Sequence, residues 1–291
     1  MLPTLLVAAS LGTPPAADSW PAFRGDGTGV AAGAYPVAWG PDQNVAWTAD
    51  LPGYGQSSPV VWKGRVYVTA VDGPEKQTLL VAALDAATGK RLWTREFAAA
   101  RPGKNNPMMS RAAATPAADA DGLVCLFESG DLLALTHDGG PRWRRDLGEF
   151  KNNHGLGSSL ARDGRAVFVL VEHAGPSYLL AVDTATGDEL WKAPRDSRGG
   201  WTSPVVTRQN GKAVVVVSGG GHVAGYDAAT GKEAWKHDGL VGNNIPSPTP
   251  AGEFVLVGAG ENRMRPDPAA SARSNCCLRL TPAGVEPVWQ G

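Results

Sequence analysis

Residues 181–191 read AVDTATGDELW, and the pattern returns: residues 83–93 read ALDAATGKRLW and residues 225–235 read GYDAATGKEAW. Two looser copies are residues 134–143, ALTHDGGPRW, one residue shorter, and residues 279–289, RLTPAGVEPVW. In each, a short apolar strand runs into a polar turn with Gly near its close, and a second strand then carries Trp. An Asp side chain at such a turn accepts backbone N–H groups two or three residues on. Gly supplies the positive φ that other residues resist. The unit is therefore a hairpin, and the chain is an array of such units.

Working outward, the repeat tryptophans are Trp47, Trp93, Trp143, Trp191, Trp235 and Trp289, at intervals of 46, 50, 48, 44 and 54 residues. A second marker opens each unit: Ser58-Pro59, Thr115-Pro116, Ser159-Leu160, Ser203-Pro204 and Thr249-Pro250. With Pro116, Leu160, Pro204 and Pro248 as equivalents, three successive steps are each 44 residues. A period in the mid-forties built from short strands indicates a β-propeller with four strands per blade. One unit shows all four: Pro204 to Thr207, Ala213 to Ser218, His222 to Tyr226 and Ala234 to His237. Runs such as VVVV at 214–217 suit strands covered on both faces by neighbouring blades. No stretch of about 11 residues keeps a 3.6-residue apolar period without Gly or Pro. The expected fold is all-β, with about five blades near 57–97, 114–148, 158–196, 203–240 and 247–291. Trp47 is expected on a fourth strand that lacks its own first three, which makes the ring incomplete as written. Missing blades or another chain would be needed to close it.

Composition limits the function classes. The 37 Gly and 23 Pro, about a fifth of 291 residues, fall between apolar runs and read as turns. A formal charge of −1 without a basic block argues against nucleic acid. No apolar run reaches the ~18 residues of a membrane-spanning helix. Residues 1–17 have a short apolar core followed by small residues and read as a secretory signal peptide, although no Lys or Arg precedes the core. The expected location is periplasmic or extracellular. Residues 18–46 form an aromatic, Gly/Pro-rich lead-in with Trp20, Phe23 and Trp39, and FRGDGTG at 23–29 reads as a packed turn, since its spacing fits no EF-hand. Three cysteines, Cys125, Cys276 and Cys277, give no disulfide framework.

The pattern A-x-D-x-x-T-G-x-x-x-W resembles the tryptophan-docking motif of the quinoprotein-like, or pyrroloquinoline-quinone (PQQ) repeat, propellers. Residues 83–93 and 181–191 match it in full, 225–235 departs at its first position, and the resemblance covers about residues 47–291. It implies that Trp93, Trp143, Trp191, Trp235 and Trp289 stack on the peptide of the adjacent blade, a structural role, and that a complete ring has seven or eight blades. The family includes quinone-dependent alcohol dehydrogenases as well as a non-catalytic propeller of outer-membrane β-barrel assembly, so the resemblance speaks to fold more than to activity. The dehydrogenases carry a vicinal disulfide over the cofactor. Cys276 and Cys277 supply the residue types, but neighbours in a strand face opposite ways, and two buried thiols are expected.

The unlike loops between copies hold the candidate site. Asn105, Asn106, Asn152, Asn153, Asn243 and Asn244 all follow a repeat Trp and precede the next blade's first strand, where the chain crosses toward the central channel. With His154 and Trp201, and with Lys104, Lys151 and Arg111 near them, they form a candidate polar rim for a ligand. Asn also tolerates positive φ and caps turns, which accounts for its recurrence structurally. No catalytic, cofactor or metal residues are assigned. The reading is an exported, non-catalytic propeller that acts as a platform for a protein, peptide or saccharide. The alternative is a PQQ-dependent oxidoreductase or a fragment of one, for which Ca²⁺ would need ligands such as Glu172, Glu261 or Asn262.

Overall fold

The repeated turn folds around its Asp. Asp183 Oδ1 accepts the N–H groups of Ala185 at 2.8 Å and Thr186 at 3.1 Å, and Gly187 N–H closes the turn on Asp183 O at 2.8 Å. Asp85 and Asp227 make the same bonds and add the hydroxyls of Thr88 and Thr230. The Thr88 hydroxyl and N–H hold the Asp85 carboxyl below the usual range. In the shorter copy Thr136 replaces Asp, and its Oγ1 accepts Gly140 N–H at 3.0 Å. Each hairpin carries a β-bulge beside the residue opposite Trp: Ala83 faces Trp93, Ala134 faces Trp143, Ala181 faces Trp191 and Gly225 faces Trp235. The last copy is paired differently from its sequence alignment. Cys277, not Arg279, faces Trp289, because the turn between Thr281 and Gly284 is shorter.

The structure, a computed structural model, describes residues 19–31, 33, 35–103, 109–152, 155–196, 200–241, 245–260 and 267–291. Among these, five antiparallel sheets follow chain order. Blade 1 holds β2 (Val60–Trp62), β3 (Arg65–Asp72), β4 (Thr78–Asp85) and β5 (Arg91–Ala98), with β1 (Ser19–Trp20) added to its inner edge. Blade 2 holds β6 (Ala117–Ala118), β7 (Leu123–Leu126), β8 (Asp131–Leu135) and β9 (Pro141–Asp146). Blade 3 holds β10 (Ala161–Asp163), β11 (Ala166–Val171), β12 (Ser177–Asp183) and β13 (Glu189–Arg195). Blade 4 holds β14 (Val205–Gln209), β15 (Lys212–Gly219), β16 (His222–Asp227) and β17 (Glu233–Asp238). Blade 5 holds β18 (Thr249–Ala251), β19 (Phe254–Val257), β20 (Cys276–Thr281) and β21 (Gly284–Gln290), with a short helix, α1 (Pro268–Arg273), before β20. The fold is an all-β propeller array whose sheets do not close into a ring. Apolar side chains alternate between the faces of each sheet. Val167, Val169 and Val171 pack with blade 2, whereas Phe168 and Leu170 pack with Val215 and Val217 of blade 4.

Two seams join the blades. At the outer seam the indoles of blades 1, 2 and 3 donate to the turn of the next blade. Trp93 Nε1 bonds His137 O at 2.9 Å, Trp143 bonds Thr184 O at 2.9 Å and Trp191 bonds Ala228 O at 2.9 Å. Trp47 bonds Ala86 O at 3.0 Å in the same way. Its expected strand is absent, because residues 44–50 have no neighbouring strand to pair with, yet the indole docks without one. Beneath each ring lies the turn Gly. A Cβ on Gly89, Gly139, Gly187 or Gly231 would meet the indole at 2.5–2.9 Å. These glycines thus serve a positive φ of 71–81° and a close approach together. Trp235 meets the short turn of blade 5 through a relay. Its Nε1 donates to Gln209 Oε1 at 2.9 Å, and Gln209 Nε2 donates to Thr281 O at 2.6 Å and Gly284 O at 2.8 Å. Trp289 is half exposed, with no indole bond among the described residues.

At the inner seam a hydroxyl from each blade accepts the equivalent backbone N–H of the blade before it. Ser58 N–H bonds Thr115 Oγ1 at 3.1 Å, Thr115 N–H bonds Ser159 Oγ at 3.1 Å, Ser159 N–H bonds Ser203 Oγ at 2.9 Å and Ser203 N–H bonds Ser247 Oγ at 2.8 Å. The marker of the last blade is therefore Ser247-Pro248 rather than Thr249-Pro250.

Gly187→Ala should cost about 1–2 kcal/mol in left-handed backbone and about 1–3 kcal/mol more for a Cβ pressed into the Trp143 ring. Gly164→Ala, at φ 53° with nothing within 4 Å of its Cβ position, should cost the backbone part alone. Urea unfolding of both variants checks the difference. Gln209→Ala should lose about 1–3 kcal/mol by leaving buried groups at the blade 4–blade 5 seam unpaired, read the same way.

Candidate functional site

The connections that enter blades 3 and 4 meet at one mouth of the array. Of the rim proposed from sequence, Asn152 and Trp201 are described. Asn105, Asn106, Asn153, His154, Asn243 and Asn244 lie outside the described residues, as does Lys104. Asn152 O accepts Gly155 N–H at 3.1 Å. Trp201, from the segment entering blade 4, donates Nε1 to Gly155 O at 3.2 Å, and its Cδ1 lies 3.4 Å from the Cβ position of Gly157. The two entering segments are thereby tied together.

Beneath them lie two carboxylates that the rim reading did not assemble. Val124 faces Ala134 in blade 2 and Phe168 faces Ala181 in blade 3, so Glu128 and Glu172, each four residues further on, hold equivalent places. The same position is Val71 in blade 1, Gly220 in blade 4 and Gly260 in blade 5, by the register of the residues opposite Ala83, Gly225 and Cys277. Both carboxylates are pressed against glycines of the next blade's entry: Glu128 Oε2 is 2.2 Å from the Cβ position of Gly155, and Glu172 Oε2 is 1.9 Å from that of Gly200. Glu128 faces Arg111 Nε at 3.8 Å. Arg111, at φ 67°, also donates Nη1 to Arg101 O at 2.8 Å. Lys76 closes this cluster by donating to Met109 O, and burial lowers its pKa despite the nearby Glu128.

Glu172 is more deeply enclosed. Its Oε1 accepts Arg195 Nε at 2.9 Å, the two side chains are 2% and 3% exposed, and Arg195 Nη1 donates to Tyr226 Oη at 2.8 Å. Burial, followed by the Arg195 charge, pushes the His222 imidazole below its ordinary pKa. Glu172 Oε2, Ser158 Oγ and Ser218 Oγ are buried without a hydrogen-bond partner, so this mouth keeps unspent polar capacity. The sequence signal for the carboxylates was present as Phe127-Glu128 and Val171-Glu172, each closing an apolar strand. Arg195 had no such signal, because its partner comes from another strand of the blade.

Of the residues named for Ca²⁺, Glu172 alone is described. Its Oε1 is taken by Arg195 while Oε2 has no partner, and among the described residues no group of three or more His, Cys, Asp or Glu is placed to hold a metal ion. Glu261 and Asn262 lie outside the described residues. Cys276 and Cys277 are buried free thiols, as the strand geometry required, and burial pushes the thiols of Cys125 and Cys276 up.

A family model described as outer membrane protein assembly factor BamB matches residues 10–175 and 175–271. This chain belongs to the BamB family. The outer membrane protein assembly factor BamB of Burkholderia pseudomallei is 30% identical over 225 residues, which is 75% of this chain and 54% of the relative. The chain thus spans about half the length of that curated BamB. Among solved structures, BamB from Moraxella catarrhalis superposes with a TM-score of 0.51 at 17% identity, over 86% of this chain and 76% of that one. The quinohemoprotein alcohol dehydrogenase ADHIIG from Pseudomonas putida HK5 gives 0.51 at 16% identity, over 82% and 43%. The structural likenesses establish the propeller fold, which BamB and the dehydrogenases share.

Arg195→Met should cost about 3–5 kcal/mol, because it strands a buried carboxylate. The double variant Arg195→Met with Glu172→Leu should recover most of that loss. Thermal unfolding of the two proteins at neutral pH checks the order.

Proposed function

We propose that this chain is part of an exported, non-catalytic propeller that binds a protein partner in outer-membrane protein assembly, at the mouth formed by Asn152, Gly155 and Trp201. The observation that carries the reading is the tie between the segments entering blades 3 and 4, where Trp201 Nε1 donates to Gly155 O at 3.2 Å and Gly155 N–H to Asn152 O at 3.1 Å. The residues that repeat are committed to holding blades together, at the turns and the two seams. The residues free to differ between blades cluster at the mouth, where a rigid scaffold presents loops for recognition. Membership of the BamB family supports a protein as the partner and the periplasm as the place of work.

The test is site-specific photo-crosslinking in the native host, with a benzophenone amino acid at position 201 and, as control, at Lys90 on an outer turn. A component of outer-membrane protein assembly should be captured from position 201 and not from position 90. Capture from both positions alike, or a tight Ca²⁺-dependent quinone spectrum on adding PQQ to the purified protein, would contradict the proposal.

A further inference from the structure

The lead-in crosses the inner ends of all five blades. Ser19 pairs with Trp62 and Trp20 with Val61 on blade 1, and Pro21 O accepts Ala118 N–H of blade 2 at 2.7 Å. Ala22, 6% exposed, sits in a core cluster with Ala114, Leu156 and Leu160, at the entry to blade 3. The Cβ position of Gly27 lies 3.6 Å from Val205 Cβ of blade 4. Arg24, at φ 58°, reaches blade 5, where its Nη1 donates to Thr249 Oγ1 at 2.8 Å. The segment is also folded on itself: Gly25 lies under the Trp20 ring, with 2.9 Å between the ring and its Cβ position.

The chain that leads from this segment toward blade 1 is loosely held up to Ala46, before Trp47 docks on Ala86 O. Between Val30 and Pro59 the described residues form no strand and only two isolated bridges, Gly40–Gln43 and Tyr54–Val71. Val37 is 98% exposed and Trp39 73% exposed. A tether of this kind supplies an effective concentration on the order of millimolar and does not dictate a seat. The seat is dictated by the contacts themselves: backbone pairing on an open strand edge, a pocket that admits a methyl group, and an arginine acceptor on the far blade. Those features would recognise the same chemistry on another chain. A cavity of about 320 Å³ beside the segment, lined by Phe23, Leu160, Arg162, Pro204 and Val205 among others, leaves room for exchange.

We infer that the inner ends of the five blades form a peptide-binding groove for a segment of the Trp-Pro-Ala-Phe-Arg-Gly kind that pairs at its start and then turns on itself, and that residues 19–29 fill it as a displaceable internal occupant. The partner it fits is a peptide with an aromatic residue, a small residue two positions on and an arginine two further on, followed by Gly so that the chain turns after the small residue as Ala22 to Gly25 does. The inference concerns the seat of residues 19–29 and does not rest on the identity of the protein bound at the mouth.

The test is fluorescence anisotropy with a labelled peptide of residues 19–30 and the purified full chain, either wild type or Ala22→Asp. The Asp prevents the chain's own segment from seating while leaving the groove intact. The variant should bind the peptide at least about tenfold more tightly than wild type, which competes with its own tethered copy. The same peptide carrying Ala22→Asp should bind neither. Equal affinity of the two chains, absence of binding to the variant, or equal binding of the two peptides would overturn the inference. Should Ala22→Asp fail to fold, the Arg24→Ala chain makes the same comparison, with a gain of about threefold expected and no gain overturning it.

Discussion

An indole N–H donated to the turn carbonyl of the next blade, over a Cα that carries no side chain, is the contact on which the rest of the array depends. Its three requirements explain the repeat. Trp supplies a broad ring and one donor, so that burial and a hydrogen bond are satisfied together. Gly lets the ring approach to within 2.5–2.9 Å of where a Cβ would be. Asp holds the turn open in the one shape that points the carbonyl at the donor. Where Asp is missing, as in blade 2, Thr136 shapes the turn instead and Trp93 still bonds His137 O. Trp47 shows that the contact is stronger than its context, since it docks on Ala86 without a strand around it. Trp235 shows how a failed repeat is repaired, since Gln209 restores through a side-chain amide what the shortened turn no longer offers.

The inner seam follows the same logic with smaller groups. There a hydroxyl one blade on takes each backbone N–H. The lead-in then spans these inner ends and joins blade 1 to blade 5 through Arg24. In an array whose sheets do not close on themselves, this segment is the described connection that runs across the blades rather than along them.

The fold was legible because its determinants lie within eleven consecutive residues. Asp, Gly and Trp at fixed spacing act locally and on one neighbour, so the period alone showed the blades. What remained illegible depended on partners far apart in sequence. Arg195 meets Glu172 across 23 residues, and Gln209 serves a turn more than 70 residues away. Arg24 meets Thr249 across 225 residues, so the lead-in read only as a turn-rich segment packed by its aromatics. The register of the last hairpin was misaligned because its turn, closed between Thr281 and Gly284, is shorter than the Asp-marked turns, leaving Cys277 to be found only by pairing. The sequence placed the candidate rim between repeats, and of it Asn152 and Trp201 are described, both bonded to Gly155. It could not show that Glu128 and Glu172 lie beneath, since equivalence there follows from register and not from the motif.

The central claim, that each blade's turn is held by the tryptophan of the blade before it, is tested most directly by hydrogen exchange in a Trp191→Phe variant. The ring volume is largely kept and the bond to Ala228 O is lost. Amide exchange should quicken across Asp227–Gly231, the hairpin of blade 4, while Asp183–Gly187, held by Trp143, keeps its protection. Equal quickening in both hairpins, or none in either, would contradict the account.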